Sequence, residues 1–451
     1  MSHPTVRGIV VVTRNGDRDG YHQDPYTYQS SHTDSTPLGE VQAFQLGALL
    51  RKEYFDESSP NYIHNIRTDL VNLDQVHARI KNGGEGRVVF DTTIALLQGL
   101  FPPTPANTIV LANETVITAP LGGYQYVPAE TVEPSNDRSL ESWTDCPTFE
   151  AHVKKFYESP EFKAAAEQAE PFFKIAHDFV FGRTLTLENV VNIYDYMNNQ
   201  LTHNKTYAHR LPPTLIEQAR HWANFHEQGV FTDASMSGIG NIAGRTLMQS
   251  IISSLERIDF DGDPLQFLLE STTYQPFLSL FAQTEMDKAD PSLKGIPDFA
   301  SALVIELRRG SLPDNRDFLR FRFKNGTSDD FRTLNVFGKR SDIPLTEFIY
   351  RVENAAIKSN TEWMKACGAS SVSNPTPWGL PALPLLQGGD AKQSSFATGM
   401  YGALFAALFM LVVLAASKFF KRSRRGRIAL RTNGDEGVPV LPTAEKRPVG
   451  Y

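Results

Sequence analysis

Apolar residues recur along the chain with two different periods, and these periods predict strands and helices. Residues 8–13 form a run rich in β-branched side chains, which is typical of a buried strand. A helix is predicted to begin at Thr36 and Pro37, because threonine is a favoured N-cap and proline is favoured at the first helical position. The next strand is predicted over 75–79 and the next helix from about Arg87.

The middle of the chain has a different pattern from its two ends. Between about residues 146 and 258, helical spacing predominates and strand patterns are scarce. Strand patterns return at 265–270, 300–307 and 318–323, and one long helix is predicted over 345–366. We therefore predict an α/β fold: a three-layer sandwich with a central, mainly parallel sheet and a helical insert over about 146–258.

The end of the chain has the pattern of a membrane anchor. Residues 396–416 form an uncharged apolar run of about 21 residues, which is long enough to span a bilayer. The residues that follow are strongly basic, and the positive-inside rule places such a segment in the cytosol. The predicted organisation is a globular domain over 1–368, a linker rich in Ser, Pro and Gly over 369–395, a transmembrane helix over 396–417 and a basic cytosolic tail over 418–451.

The charge of the chain divides at the same point. Residues 418–451 carry nine Lys or Arg and three Asp or Glu, and the whole chain has a formal net charge of −7, so residues 1–417 are acidic. An acidic globular part argues against a nucleic-acid partner. The two cysteines, Cys146 and Cys367, allow one disulfide, and two packed free thiols fit the sequence equally well. Neither cysteine has the neighbours of a metal site, so we expect no metal and no cofactor.

The orientation of the globular domain follows from the basic tail. With the tail in the cytosol, the protein is expected to be a single-pass membrane protein whose globular domain is lumenal or extracellular. Asn113, Asn204 and Asn325 each begin an Asn-x-Thr acceptor tripeptide, which only a lumenal domain can use, so a glycoprotein is expected. No secretory signal peptide precedes the first predicted strand, which conflicts with this orientation unless the start codon is misassigned.

The candidate chemistry lies directly after the first predicted strand. Arg14 and Arg18 follow this strand with Gly16 between them. Ligands of open α/β sheets bind at the carboxyl ends of strands, and arginine presents a rigid fork of donors that suits phosphate oxygens. A turn with two solvated arginines fits the same spacing, so the spacing alone leaves both interpretations open.

Residues 14–18, Arg-Asn-Gly-Asp-Arg, resemble the Arg-His-Gly-x-Arg signature of the histidine phosphatase superfamily, in its acid phosphatase and phytase branch. Residues 36–47 and 97–103 are also similar to this family, and the resemblance extends in patches over about 5–366. It implies a phosphoglycerate mutase-like fold, a phosphate site formed by Arg14, Arg18 and Arg79, and a helical insert that covers this site.

The sequence departs from the family at the residues that perform its chemistry. Asn15 stands where the family has the histidine that becomes phosphorylated, and an amide nitrogen has no available lone pair for covalent catalysis. Thr272 and Thr273 stand where the family has a His-Asp pair, so the usual general acid is missing as well. A relocated group such as His22, His77 or Glu270 remains an alternative, whereas His177-Asp178 lies in a predicted helix of the insert.

These observations predict a membrane-anchored pseudophosphatase that binds phosphate or a phosphorylated small molecule through an arginine pocket without turnover. The first alternative is an acid phosphatase that hydrolyses phosphomonoesters through a non-standard nucleophile. The second is a structural or partner-binding domain with no ligand. Whether the protein is an enzyme is left open by the sequence, and the membrane is the other expected partner, through residues 396–417.

Overall fold

In the computed structural model of the protein, strands and helices alternate along the chain. The strands form a mixed central sheet, and helices cover both of its faces. The structure describes residues 5–310, 315–340 and 342–369. In chain order the strands are β1 (Thr5–Arg14), β2 (Val76–Lys81), β3 (Thr108–Val110), β4 (Val116–Thr118), β5 (Ala129–Val132), β6 (Phe267–Thr272), β7 (Ala302–Arg309), β8 (Asp317–Lys324), β9 (Arg332–Thr333) and β10 (Ile343–Pro344).

Helices and loops share the described chain between the strands about equally. They are α1 (Pro37–Tyr54), α2 (Val88–Leu100), α3 (Pro120–Gly123), α4 (Pro147–Tyr157), α5 (Pro160–Val180), α6 (Val190–His203), α7 (Lys205–Arg210), α8 (Pro213–Val230), α9 (Ile242–Asp259), α10 (Gln275–Gln283), α11 (Met286–Ala289), α12 (Leu345–Val352) and α13 (Asn360–Cys367). Thr36 caps α1 as predicted, since its hydroxyl accepts a hydrogen bond from the backbone N–H of Gly39 at 3.1 Å.

The main sheet has the strand order β10-β8-β7-β1-β6-β2-β5, with β9 paired to β8. The half formed by β1, β6, β2 and β5 is parallel, whereas β7, β8, β9 and β10 pair in antiparallel fashion. The α/β prediction is confirmed, but the sheet is mixed and not mainly parallel. The physical reason is the connection over 310–316, which is too short for the crossover that two parallel neighbours require, so β7 and β8 form a hairpin.

Helices cover both faces of the sheet. On one face, α1 and α2 pack on the odd-numbered positions of β1, such as Ile9 and Val11. On the other face, α9, α10 and α12 pack on its even-numbered positions, Val10 and Val12. The strand β1 is therefore apolar on both sides, as its β-branched run predicts.

The helices α4 to α8 form a separate group with an apolar core of their own, which includes Phe149, Phe172 and Leu215. The helix α9 falls within the predicted insert, but most of its buried apolar side chains pack against the sheet, and only Ile242 and Ala243 at its start join the core of the helical group. The single helix predicted over 345–366 is divided into α12 and α13. The segment between them is bound to α9, because Arg245 Nε donates to the carbonyl of Ala355 and the N–H of Ile357 donates to the carbonyl of Arg245.

Cys146 and Cys367 form a disulfide that joins the residue before α4 to the last residue of α13. Of the two arrangements that the sequence allows, the structure therefore has the bridge. Within the described part of the chain, no helix is both long enough and apolar enough to cross a membrane. The predicted transmembrane helix over 396–417 and the tail over 418–451 lie outside the described residues.

Reduction of the disulfide is expected to destabilise the globular domain. The bridge closes a loop of 221 residues, and removing a native disulfide costs about 2–5 kcal/mol of the free energy of unfolding. Cys367→Ser should therefore lower the midpoint of thermal unfolding, and reductant should have the same effect on the wild type but none on the variant. An unchanged wild-type midpoint under reductant would contradict the assignment of a stabilising bridge.

Candidate functional site

The carboxyl ends of β1 and β6 bring four of the predicted site residues together. Arg14 is in register with Thr272, and the N–H of Asn15 donates to the carbonyl of Thr272 at 3.2 Å. Thr273 follows directly. Because both strands end at the same edge of the sheet, Arg14, Asn15, Thr272 and Thr273 line one edge, as expected for a ligand site of this fold class.

The loop after β1 is held in place by the start of α1. A Cβ on Gly16 would lie only 2.2 Å from the carbonyl oxygen of Gly39, so a larger residue at position 16 would push the loop away from the helix. The backbone N–H of Asp17 donates to Gln42 Oε1 at 2.9 Å. The side chain of Asp17 accepts from the hydroxyl of Thr36 and lies 2.7 Å from His203 Nε2. The positions of Arg14 and Arg18 are therefore set by tightly packed backbone.

The side chains at the implied nucleophile and acid positions offer no proton transfer group. Asn15 is 5% exposed, and its Nδ2 donates to the carbonyl of Gly16 at 2.8 Å. The hydroxyl of Thr272 donates to the carbonyl of Leu140 at 3.3 Å, and the buried hydroxyl of Thr273 has no hydrogen-bond partner. Amides and hydroxyls do not ionise near neutral pH, so these three residues supply neither a general base nor a general acid.

Arg14 is the cation at this edge that lacks a carboxylate partner among the residues described. Its guanidinium lies 4.2 Å from the ring centroid of Phe299 and 5.4 Å from that of Tyr274, and Nη1 donates to the carbonyl of Pro297. Its Nε is buried without a hydrogen-bond partner. Burial and the neighbouring Arg18 lower the pKa of Arg14 to about 10, so the side chain stays charged at neutral pH.

Arg18 is paired with a carboxylate from the helical insert. Its Nη2 lies 2.6 Å from Oδ1 of Asp195 and its Nη1 donates to Oδ2 at 3.1 Å, which is a bidentate ion pair. The ring of Tyr21 covers the guanidinium at 4.1 Å. Burial by itself lowers the pKa of Arg18, but Asp195 outweighs burial and the net shift is upward. Asp195 was not identifiable from the sequence, because it lies on α6 and nothing in its local pattern marks it.

Arg79, the third arginine that the resemblance implies, lies two residues before the end of β2, in register with Glu270 of β6. Its guanidinium contacts three carboxylates, with N···O distances of 3.2 Å to Glu270, 2.6 Å to Asp137 and 3.3 Å to Glu130. Burial raises the pKa of Glu270 in spite of Arg79, and its Oε1 accepts from Ser250. Arg79 and Glu270 thus lie further from the carboxyl ends of their strands than the row formed by Arg14 and Thr272.

Lys81, which the sequence analysis did not single out, is the basic residue at the end of β2. It follows Ile80, which is in register with Ser271, so it lies beside the row of Arg14 and Thr272. Lys81 is 1% exposed and pairs with Glu85 and with Glu141, at 2.7 Å from the latter. Its place at the carboxyl end of a strand is the signal that sequence analysis had available, two residues beyond Arg79.

The histidines considered as replacements are spread over the molecule. His177 and Asp178 contact each other at 3.2 Å but are 75% and 81% exposed, as for a solvated pair on a helix. His77 lies 3.0 Å from Glu130, and His22 is exposed in the loop after β1. The histidine that contacts the motif is His203 of α6, through Asp17.

A buried polar network fixes the tyrosine beside Arg14. Tyr274 donates its hydroxyl to Glu227 Oε2 at 2.8 Å, and Tyr28 donates to the other oxygen of Glu227 at 3.0 Å. His226 Nδ1 lies 2.9 Å from the same carboxylate. Glu227 and His226 are almost fully buried, and they join α8 of the insert to the start of α10 on the sheet. This network holds the Tyr274 ring against the guanidinium of Arg14.

Comparison with known proteins connects this geometry to a family. Residues 14–324 match the histidine phosphatase superfamily (branch 2). The lysosomal acid phosphatase of Rattus norvegicus is 24% identical over 379 residues, covering 81% of each chain, and that of Homo sapiens is 22% identical over the same share. The apo phytase of Hafnia alvei superposes with a TM-score of 0.54 at 12% identity, covering 81% of this chain and 99% of that chain. The Citrobacter braakii phytase gives 0.53 at 12% identity, covering 80% and 99%.

The Lys81 ion pairs should control the stability of the site edge. Burial alone would raise the pKa of Glu141, but Lys81 lowers it below the ordinary 4.5, so the contribution of this pair is complete above pH 4.5 and is lost as the pH falls through the lowered pKa. Lys81→Met leaves two buried carboxylates without their cation. It should therefore lower the free energy of unfolding by about 3–5 kcal/mol at pH 7.

The loss of unfolding free energy in Lys81→Met should become smaller as the pH falls from 7 toward about 5. The reason is that the unpaired buried carboxyls then take up protons more readily in the folded state than in the unfolded one. Denaturant unfolding at several pH values measures this difference, with the exposed Lys358→Met as the control. A deficit that stays constant with pH would show that these carboxylates do not carry the effect.

Proposed function

Because the chain belongs to branch 2 of the histidine phosphatase superfamily, we propose that it is a membrane-anchored pseudophosphatase. In this proposal the acid phosphatase-like domain binds phosphate or a phosphorylated small molecule through arginines at the carboxyl edge of its sheet and does not hydrolyse it. The observation that carries the proposal is the buried amide of Asn15 directly after Arg14. In the proposal, Asn15 stands at the nucleophile position of the family signature.

The absence of turnover is supported by the chemistry of three side chains. Phosphoryl transfer through a covalent intermediate needs a nucleophile with an available lone pair, and the amide nitrogen of Asn15 is already a donor to Gly16. Departure of the leaving alcohol needs a proton donor, and Thr272 and Thr273 stand at the matching place. Each loss alone would slow the reaction strongly, and the two together remove both halves of the mechanism.

Binding of an anion is supported by Arg14. This arginine is charged at neutral pH, is partly exposed, and has a buried Nε without a partner. Charge-assisted hydrogen bonds from such a group to a phosphate do not require a nucleophile. The names of the relatives support the ligand class, since they are acid phosphatases and phytases, and one Hafnia alvei phytase structure is a complex with myo-inositol hexakis sulphate, a polyanion. Arg18 and Arg79 complete the proposed set.

A second function, partner binding without a small-molecule ligand, is favoured by one observation. Arg18 is already paired with Asp195, and Arg79 with Glu270, Asp137 and Glu130. Cations that are balanced within the chain have less to gain from an external anion. The two functions differ in whether inorganic phosphate binds and raises the midpoint of thermal unfolding.

The membrane anchor and the orientation are further parts of the proposal. The apolar run over 396–416 and the basic residues after it support a single span with the tail in the cytosol. In that orientation the described domain is lumenal or extracellular. The disulfide between Cys146 and Cys367 supports this placement, since disulfides persist in oxidising compartments.

The proposed loss of turnover is tested by phosphomonoester hydrolysis with the full-length protein in a mild detergent. The wild type should release no p-nitrophenol from p-nitrophenyl phosphate above background, whereas typical enzymes reach about 1–10³ s⁻¹. Asn15→His should stay close to background, because the acid at Thr273 is still missing. Turnover by the wild type at an ordinary enzymatic rate would overturn the proposal.

The proposed orientation is tested by glycosidase treatment of the protein expressed in eukaryotic cells. Asn113 and Asn204 are exposed, and we expect a glycan on each. Asn325 should carry none, because it is only partly exposed and lies between the buried residues Lys324 and Gly326. Thr115→Ala and Thr206→Ala should each remove one mass increment, and Thr327→Ala should remove none. No mass shift, together with protease sensitivity of the globular domain in intact vesicles whose cytosolic side faces out, would place the domain in the cytosol.

A further inference from the structure

We propose that Asp195 acts as an internal anion that occupies the ligand position at Arg18, and that its carboxylate sets the affinity of the site for phosphate. This inference rests on the proposed function, because it concerns the same arginine pocket. It predicts that the wild type binds inorganic phosphate weakly and that removal of the Asp195 charge strengthens the binding.

The geometry of Arg18 shows that its donors are already used. Both terminal nitrogens face the two oxygens of Asp195, at 2.6 and 3.1 Å, which is the fork-to-fork arrangement that arginine also forms with phosphate. The rings of Tyr21 and Phe299 lie over the guanidinium at 4.1 and 5.5 Å. The side chains of Arg18 and Asp195 are only 8% and 14% exposed. An incoming phosphate therefore has to replace Asp195 to reach this fork.

The helix α6 holds Asp195 in this position through neighbours on the same face. Asn192 makes two hydrogen bonds with the backbone of Gln23, of 2.7 and 2.8 Å. Asn199 donates to the carbonyl of Arg18 at 3.0 Å, and His203 contacts Asp17. These four residues of α6 follow one another at intervals of three or four, so one stripe of the helix is fixed to the loop over 17–23. The Arg18–Asp195 pair is therefore part of a constructed contact and differs from a solvated surface pair.

The charge balance explains why this contact opposes phosphate. Arg14 and Arg18 carry two positive charges at this edge, and Asp195 cancels one of them. A phosphate near neutral pH carries between one and two negative charges and would meet the carboxylate of Asp195 at short range. The remaining single positive charge of Arg14 favours weak binding of an anion, and neutralising Asp195 doubles the positive charge available to it.

The test measures binding of inorganic phosphate to full-length variants by isothermal titration calorimetry and by the shift of the unfolding midpoint. Asp195→Asn keeps the size of the side chain and should bind phosphate about tenfold more tightly than the wild type, or better. Asp195→Glu keeps the charge and should bind like the wild type. Asp178→Asn removes the same charge from an exposed site of the insert and should also bind like the wild type.

Two further variants make the outcome decisive. The double variant Asp195→Asn with Arg18→Gln should lose the increase in phosphate affinity, because that increase depends on the released guanidinium of Arg18. Asp195→Ser serves the same purpose as Asp195→Asn if the latter fails to fold. The inference would be overturned if Asp195→Asn or Asp195→Ser bound phosphate with the same affinity as the wild type. If the wild type and the variant both bound phosphate measurably in that case, the proposed function would still stand. An equal gain in Asp178→Asn would also overturn it, since a general charge effect would then suffice.

Discussion

The parallel pairing of β1 with β6 is the constraint on which the site depends. Both strands lie in the middle of the sheet and are covered by helices on both faces, so neither can shift its register without exposing apolar side chains. This register places Arg14 beside Thr272 and joins the loop after β1 to the end of β6 through the N–H of Asn15. Arg14 and Arg18 of the proposed phosphate site are therefore held at this edge, at the end of β1 and in the loop that follows it.

Burial of the strand ends has an electrostatic cost that the chain balances internally. Cations that leave water need partners, and the buried Arg18 and Lys81 each face a carboxylate that is distant in the chain, Asp195 and Glu141 respectively. Arg14 differs, since aromatic rings and a backbone carbonyl surround it. Among the described residues, Arg14 keeps its charge at this edge without a carboxylate partner. Next to the amide of Asn15 and the hydroxyl of Thr272, which do not ionise near neutral pH, such a cation suits recognition of an anion better than catalysis. This combination is the physical basis of the proposed pseudophosphatase.

Local patterns predicted the elements of the fold more successfully than their arrangement. The β-branched run before Arg14 is β1, and the Thr36-Pro37 start of α1 has the predicted cap. The pattern of β7 and β8 does not show their direction, because a period of two is the same in parallel and antiparallel strands. The signal that the sequence did contain is the short connection between them, which excludes a crossover. The break between α12 and α13 was missed because the segment near Ile357 exchanges helical hydrogen bonds for bonds to Arg245 of α9, a tertiary contact.

The sequence by itself determined the family and the strand that ends in Arg14. That Asn15, Thr272 and Thr273 stand at the positions of the family's catalytic groups remains a prediction from the resemblance. These properties depend on residue identity and short spacing, which a sequence shows directly. Only the tertiary structure decided which cations remain available, because the partner of Arg18 lies 177 residues away on another helix. No local sequence pattern indicates a pair of residues so far apart. The pair forms only when the helical insert packs against the carboxyl edge of the sheet.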